Sequence, residues 1–409
     1  MTAAYVAQAV AIGSTLSAYG LFIAPIEADL GATRAQTNFG ITILMVVAAG
    51  IGPLLGRAID RGPARAIMLG GVLLTAAGLA ALSQATSLVG LALVLGLMVG
   101  VGHAAFGPLP AMTLLANWFH ARRGTAIGIA ATGTTSAGFV MPPLVAFLIS
   151  SYGWRVTLLC IAAGCVAVAA PVIGKWVVKR PEEIGQFPDG RERPAPVFEP
   201  QAPASKAASS QLLRDSRFWR MAAVFGLMPG ASLALIANLV PYAADLGIPY
   251  ARAAVIMSCF ALFTSLGKVL FGLLVDRIDM RAALWLSLGL QATAWLGMLS
   301  GPGFWGFLAA AVLFGTGAGA VMPIQGAMLG AAFGRAMFGR AMGLMSPLTL
   351  VPLALSPPLV GWFYDRTGSY TAPLSGFLAF FALAALLTGS LRIPRAGSLT
   401  PPQDAPADP

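Results

Sequence analysis

The chain has 409 residues, of which 57% are hydrophobic and only 10% are charged. This balance excludes a soluble globule of that size, because too few polar side chains remain to cover its surface, and it indicates an integral membrane protein. The formal net charge of +10 is also typical of proteins that bind nucleic acid, but the distribution of the basic residues, described below, argues against that function.

Long stretches without Asp, Glu, Lys or Arg predict the membrane spans. A helix needs about 20 apolar residues to cross a bilayer, so the two longest stretches, 66–121 and 282–334, must each fold back once. We therefore expect an all-α integral membrane protein with twelve transmembrane helices. In chain order the predicted spans are 5–27, 38–57, 66–84, 88–116, 124–149, 154–178, 218–243, 251–275, 281–300, 304–332, 339–363 and 370–391.

A polar, proline-rich segment separates the first six spans from the last six. No apolar periodicity crosses residues 180–216, so the sequence predicts a flexible cytoplasmic linker there. The predicted organisation is an N-terminal six-helix bundle (1–179), this linker, a C-terminal six-helix bundle (217–392) and a disordered cytoplasmic tail (393–409).

The basic residues predict the orientation in the membrane. When successive loops are assigned to alternate sides, twenty Lys and Arg residues fall on one side, and only Arg34, Arg155, Arg252 and Arg366 fall on the other. Basic loops stay in the cytoplasm. We therefore expect a multi-pass protein of the cell (inner) membrane with both termini cytoplasmic, surrounded by lipid and without a nucleic-acid partner.

The two halves of the sequence repeat each other. Gly56, Asp60 and Arg61 recur 216 positions later, and Gly102, Pro108, Gly124, Gly128 and Pro142-Pro143 recur 215 positions later. A constant offset over several spans predicts two parallel six-helix pseudo-repeats, an arrangement typical of transporters that rock about an axis along the membrane normal. The recurring copies are Gly272, Asp276, Arg277, Gly317, Pro323, Gly339, Gly343 and Pro357-Pro358.

The duplicated turn Gly-x-x-x-Asp-Arg, at Gly56, Asp60 and Arg61 and again at Gly272, Asp276 and Arg277, predicts a gate. Its glycine permits close helix packing, while its carboxylate and guanidinium can hold one helix end to a neighbour when the inner gate is shut. The turn resembles the inner-loop signature of the major facilitator superfamily. The alternative is ordinary positive-inside charge with an incidental Asp. The first copy departs from the family form because Gly62 follows Arg61 directly.

A second resemblance lies at the start of the fifth span, where an aromatic pair and a basic pair precede small residues. This pattern is similar to the fifth-span signature of the monocarboxylate transporter family, whose general layout the oxalate–formate antiporters share. It implies a secondary transporter of small organic anions. The motif residues are Trp118, Phe119, Arg122, Arg123, Gly128 and Gly133.

Lys268 is the one Lys or Arg deep inside a predicted span. The resemblance aligns it with the family's substrate-binding eighth-span arginine, places Thr264 at the family's nearby aspartate, and places Ser17 at its first-span lysine. On a helical wheel Ser258, Thr264, Ser265 and Lys268 share an arc of about 120°, which suits a cavity lining. The alternative is a lysine that extends to the cytoplasmic interface.

Four other polar residues of the spans are candidate substrate contacts. His103, in the fourth span, is either a proton carrier or substrate contact or a hydrogen-bonded packing residue. Asn238 and Tyr242 in the seventh span and Gln325 in the tenth offer neutral hydrogen-bonding groups. Residues of these types also hold transmembrane helices together.

All fifteen Asp and Glu residues lie in predicted loops, termini or span ends. A membrane-embedded site for a cation is therefore not expected, since such sites use buried carboxylates. Cys160, Cys165 and Cys259 have no metal-ligand spacing, and the sequence predicts no metal and no cofactor.

Together these features predict a monomeric secondary transporter of a small organic carboxylate, working by proton symport or by anion exchange (antiport). An exporter of hydrophobic drugs or other small molecules is the main alternative. The spans contain no Ser/His/Asp, HExxH or phosphate-loop pattern that would indicate an enzyme. A transporter-derived sensor would need a partner-binding module, which 180–216 does not contain.

Overall fold

The computed structural model describes residues 1–17, 19–31, 34–190, 211–301 and 303–391. Within these ranges the regular structure is helical and includes no strand, which confirms the predicted all-α class. The predicted tail, 393–409, and the middle of the predicted linker, 191–210, lie outside the described residues.

The first half contains eight helices as the hydrogen bonds define them, with a π-helical turn, Leu95–Gly100, between the fifth and the sixth. They are α1 (Thr2–Thr15), α2 (Tyr19–Leu30), α3 (Arg34–Arg61), α4 (Ala64–Leu82), α5 (Leu88–Val94), α6 (Val101–Phe106), α7 (Pro108–Trp118) and α8 (Arg123–Trp176). The second half contains α9 (Ser216–Asp245), α10 (Tyr250–Val275), α11 (Met280–Leu299), α12 (Phe304–Gly319), α13 (Val321–Thr367) and α14 (Thr371–Gly389).

Nine segments of the described chain are long and apolar enough to cross a membrane. Two of them, Arg123–Trp176 and Phe304–Ser356, are far longer than one crossing requires. Each changes direction at a glycine with a positive φ, Gly153 (77°) or Gly334 (69°), a conformation that costs glycine little. Counting both fold-backs and the shorter apolar helix Ser375–Gly389 gives the twelve predicted spans.

The two halves meet through two equivalent helix pairs. α3, the second span, packs against α13, which contains the eleventh, and the first part of α8, the fifth span, packs against α10, the eighth. Because the sequence repeat relates the second span to the eighth and the fifth to the eleventh, a pseudo-two-fold axis exchanges the two pairs.

Glycines permit these close approaches. A Cβ atom at Gly272 of α10 would lie 2.7 Å from the Gly124 carbonyl oxygen of α8, and a Cβ at Gly56 of α3 would collide with the Gly339 carbonyl of α13. Small residues at helix crossings let backbones approach in this way. Side chains at these positions would separate the two halves.

Within the described residues, a hydrophobic core joins the two halves at one end of the molecule. There Met112, Leu115 and Ile127 of the first half join the buried core of the second. Around Phe22 and Trp154 the first half has a core of its own. We call the shared end, where α3, α7 and α10 finish and α8 begins, the charged end.

Candidate functional site

Lys268 lies where α10 crosses α8, between the two halves. Its side chain is buried, and its Nζ donates hydrogen bonds to the Ala131 carbonyl oxygen at 3.0 Å and to Thr134 Oγ1 at 2.6 Å. The backbone around it is equally close to α8, because a Cβ at Gly128 would collide with the Lys268 carbonyl oxygen. The lysine therefore points across the interface and not along its own helix to the membrane surface.

In the part of the chain that the structure describes, the ammonium of Lys268 has only neutral partners. An ammonium has three donors, and the described residues accept two of them, with no carboxylate among the acceptors. The ion pairs of the described chain join other residues, all of them near span ends or in loops. One N–H of a buried cation is therefore left for a further acceptor.

The predicted polar arc of α10 divides between two neighbours. Ser265 donates a hydrogen bond to Thr135 of α8, beside the Lys268 contact. Thr264 donates to the Phe260 carbonyl oxygen of its own helix, 2.7 Å away, and lies against Gly315 of α12. Lys268 and Ser265 thus face the first half, while Thr264 faces the interior of the second.

His103 lies inside the first half. It is 8% exposed, and its Nδ1 lies 3.0 Å from Thr15 Oγ1 and 3.3 Å from the Ala11 carbonyl oxygen of α1. These contacts hold α6 against α1, which is the geometry expected of a packing histidine. Its function in transport remains a prediction.

Asn238 and Tyr242 lie together within the second half. The Asn238 side-chain amide donates to the Ala234 carbonyl oxygen at 2.9 Å, and the Tyr242 hydroxyl donates to the Met298 carbonyl oxygen at 2.6 Å. Both line a small cavity with Trp295. Gln325 is elsewhere, half-buried on α13 beside Gly326, which packs against Ile127 of α8. The six predicted contacts are therefore not gathered in one place.

The predicted gate residues form two matching contacts at the charged end. The Asp276 carboxylate accepts hydrogen bonds from the backbone N–H groups of Gly124 and Thr125, each 2.7 Å away. The Asp60 carboxylate accepts one from the Arg340 N–H at 2.8 Å. Asp276 meets the first turn of α8, where unpaired N–H groups and the helix dipole favour an anion.

The arginines of the two gate motifs have a different environment from the carboxylates. Arg61 and Arg277 are exposed. The two gate-motif carboxylates, Asp60 and Asp276, each accept hydrogen bonds from backbone N–H groups of the other half. Gly56 and Gly272 provide the close helix approach that brings each carboxylate within reach.

The residues of the fifth-span motif support the same end of the molecule. Trp118 donates from Nε1 to the Val178 carbonyl oxygen at 2.8 Å, and Arg123 is buried, donating to the Phe119 and Ala116 carbonyl oxygens. Gly128 and Gly133 bring α8 against α10 and α1. Arg122 is exposed.

Part of the predicted flexible linker has a defined structure. Residues Pro181–Ile184 and Pro188–Gly190 form short 3-10 turns. The Asp189 carboxylate accepts hydrogen bonds from the backbone N–H groups of His120, Ala121 and Arg122. The segment contains prolines and an Asp-Gly turn, which are signals for ordered turns. The prediction of a flexible linker followed instead from the low hydrophobicity of the segment.

The same segment reaches the second half. Glu182 pairs with Arg335, which follows the Gly334 bend, through two hydrogen bonds of 2.9 and 3.3 Å. This pair was not predicted from the sequence, and neither were the contacts of Thr134 and Thr135. The hydroxyl-rich run Thr132–Ser136 inside an apolar span was the available signal.

Comparison with known proteins agrees with this architecture. A sequence profile described as Major Facilitator Superfamily matches residues 5–249 and 228–407. Two solved transporters share the fold at 15% identity, each over 95% of this chain and 98% of its own: FucP in the outward conformation (TM-score 0.70) and the human organic anion transporter MFSD10 (TM-score 0.72).

Sequence relatives give a finer placement. Monocarboxylate transporter 12-B of Danio rerio is 32% identical over 358 residues, which cover 81% of this chain and 73% of that protein. Monocarboxylate transporter 13 of Bos taurus is 28% identical over 98% of this chain and 90% of its own length. The chain therefore belongs to the major facilitator superfamily, in its monocarboxylate transporter branch, and is a multi-pass membrane carrier of a small molecule and not an enzyme.

Proposed function

We propose that this carrier moves a small organic carboxylate across the membrane by alternating access, as proton symport or anion exchange. The observation that carries the proposal is the buried Lys268 ammonium at the crossing of the two halves, with neutral partners among the described residues and one donor left over. The name of the relatives, monocarboxylate transporter, supports the same class of substrate.

A buried cation without an acidic partner is costly. A bound carboxylate would neutralise Lys268 and lower the cost of enclosing the site between the halves. The substrate would thereby favour the closed intermediate that each transport cycle must pass through. His103, Asn238, Tyr242, Thr264 and Gln325 remain candidates for contacts that form in other conformations.

Transport would proceed by rocking the N-terminal bundle (1–179) against the C-terminal bundle (217–392). The contacts of Asp60 and Asp276 hold the charged end shut, so opening that end requires both carboxylates to leave the backbone N–H groups they bind. Equivalent helix pairs on both sides of a pseudo-two-fold axis suit a motion of this kind.

We further propose that the charged end faces the cytoplasm of a bacterial-type inner membrane, with both termini on that side. Twenty of the basic residues are assigned to this side in the alternating topology. We expect the carrier to work as a monomer, in contact with lipid, because each pseudo-repeat of the chain supplies one half of the site.

The test is uptake of a panel of labelled mono- and dicarboxylates into proteoliposomes, with and without a pH gradient. We expect Lys268→Gln to abolish uptake and Lys268→Arg to retain part of it, because arginine keeps the charge but not the geometry. Lys175→Gln is the matched control, because Lys175 is exposed at the end of α8.

Undiminished carboxylate uptake by Lys268→Gln would disprove the role given to the lysine. Failure of every carboxylate with the native protein would favour an exporter of hydrophobic compounds instead. Stimulation by an inward proton gradient would indicate symport, whereas stimulation by carboxylate loaded inside the vesicles would indicate exchange.

A further inference from the structure

Lys268 belongs to the second half of the molecule, but its side chain is hydrogen-bonded to the first half. Its two acceptors, the Ala131 carbonyl oxygen and Thr134 Oγ1, both belong to α8, 137 and 134 residues away in the sequence. The side chain therefore connects the two halves as well as presenting a charge. Any movement of α10 away from α8 must break these hydrogen bonds.

Thr134 Oγ1 accepts a hydrogen bond from Lys268, because the hydroxyl hydrogen of Thr134 is donated elsewhere. Thr134 Oγ1 donates its own hydrogen to the Ala131 carbonyl oxygen at 2.9 Å, so its lone pairs are left for the Lys268 ammonium. The Ala131 oxygen receives both Thr134 and Lys268, in addition to the helical N–H four residues later. The lysine thus shares one crowded carbonyl oxygen and depends on the Thr134 hydroxyl for its shorter bond.

Resting on the proposed function, we propose that Thr134 is the resting partner of Lys268 and competes with the substrate carboxylate for its ammonium. A carboxylate is the stronger acceptor, because hydrogen bonds between two charged groups are about twice as strong as neutral ones. The third N–H of the ammonium would give the carboxylate its first contact, and this stronger ionic hydrogen bond would then draw the ammonium from Thr134 and release a connection between α8 and α10. Thr134 is in this sense a positioning residue that sets the apparent affinity.

The neighbouring hydroxyls have other partners, which makes the assignment specific. Thr135 accepts a hydrogen bond from Ser265 and donates to the Thr132 carbonyl oxygen, and Thr132 Oγ1 donates to the Ile129 carbonyl oxygen of its own helix. Thr132 lies two residues from Thr134 and has no bond to α10 among the described residues. It therefore supplies a control of identical chemistry.

The experiment compares Thr134→Val with Thr132→Val in proteoliposome uptake of the best carboxylate of the panel. A ligand's apparent affinity falls with the fraction of protein that is competent to bind it. One hydrogen bond to a charged group contributes about 1.5 kcal/mol, so we expect Thr134→Val to lower KM about tenfold without a matching fall in the maximal rate. Thr132→Val should keep the native KM.

Two further measurements separate this role from general damage. Thr134→Ser, which keeps the hydroxyl, should restore the native KM. In detergent, the same carboxylate should raise the Tm of Thr134→Val more than it raises the native Tm, because tighter binding stabilises more. If Thr134→Val does not insert into the membrane, Thr134→Ala replaces it with the same expected outcome.

An unchanged or raised KM in the Thr134 variants would overturn the proposal. The result with Lys268→Gln in the same assay distinguishes the two levels of inference. If Lys268→Gln abolishes uptake while Thr134→Val behaves as the native protein, the competition is refuted and the proposed function survives. If Lys268→Gln transports normally, both fail.

Discussion

At the scale of single residues, Lys268 shows which properties follow from the sequence and which require the structure. Lys268 is conspicuous in the sequence because a charge inside an apolar span needs a partner. The partner's identity was not accessible, because Ala131 and Thr134 are far away along the chain. The apolar pattern predicts which residues are buried, but not which buried residues meet.

Two glycines of α8 test the close approach of the halves. We expect Gly128→Ala to destabilise the protein by about 1–3 kcal/mol, as overpacking does, because the new Cβ would meet the Lys268 carbonyl oxygen. Gly138→Ala is the control: a Cβ there meets nothing within 4 Å, and alanine favours a helix over glycine. Thermal unfolding in detergent should show opposite signs for the two, and equal effects would refute this account of Gly128.

At the scale of elements, carboxylates hold the ends of helices that belong to different halves. Asp276 at the end of α10 meets the first turn of α8, and Asp60 near the end of α3 meets α13. The repeat predicted that these two positions are equivalent. The repeat did not show that each carboxylate accepts hydrogen bonds from backbone N–H groups of another helix. Those helices become neighbours only when the spans assemble.

Removing one such contact should loosen the charged end. In a variant whose three native cysteines are replaced, Ile127→Cys reports opening, because Ile127 is fully buried between the halves. Asp276→Ala should increase its labelling by a water-soluble maleimide, since two hydrogen bonds to a carboxylate are lost, each contributing about 1.5–3 kcal/mol. Asp279→Ala, which loses a helix cap within the second half, should not. Equal labelling of the two would exclude the gate role of Asp276.

The ordered start of the linker makes a prediction about pH. Desolvation raises the pKa of the Glu182 carboxyl, but the hydrogen bonds and charge of Arg335 outweigh it and hold the pKa below the ordinary value. A carboxyl group whose pKa is lower in the folded than in the unfolded state stabilises the fold at any pH above its unfolded-state pKa, which is about 4.3. This contribution is lost as the pH falls through the folded-state pKa. The pair is partly exposed, so its effect is small.

The Tm difference between the native protein and Glu182→Gln should therefore be constant between pH 6 and pH 8, shrink as the pH falls below the unfolded-state pKa of about 4.3, and vanish below the folded-state pKa. Asp189→Ala should cost more than Glu182→Gln at pH 7, because Asp189 accepts hydrogen bonds from three backbone N–H groups. A larger loss from Glu182→Gln would show that the ion pair, and not the Asp189 contacts, holds this segment in place.

On the scale of the whole molecule, the twelve spans form two repeats that meet at crossings related by pseudo-symmetry. The halves share their core at the charged end, and this asymmetry along the axis distinguishes one conformation of a carrier from another. Hydropathy carries no information about it, because the sequence, and with it the hydropathy of each span, is the same in every state of the cycle.

Orientation is tested with fusions at the C-terminus. If the basic end is cytoplasmic, a C-terminal green fluorescent protein should fluoresce in a bacterial host, and a C-terminal alkaline phosphatase should be inactive. The opposite pair of results would reverse the predicted topology. The same fusions placed after Arg34, in the first loop on the other side, should give the converse pattern.

The sequence alone determined the membrane class, the twelve spans, the repeat and the position of the isolated lysine, because hydropathy, chain length and spacing are properties of short stretches or of simple repetition. Only the tertiary structure decided that Lys268 binds Thr134 across the halves, that His103 packs within the first half while Tyr242 packs within the second, and that Asp189 orders the start of the linker. These interactions join residues that are distant in the sequence. They form only when the helices have packed into the arrangement in which their buried polar groups are hydrogen-bonded.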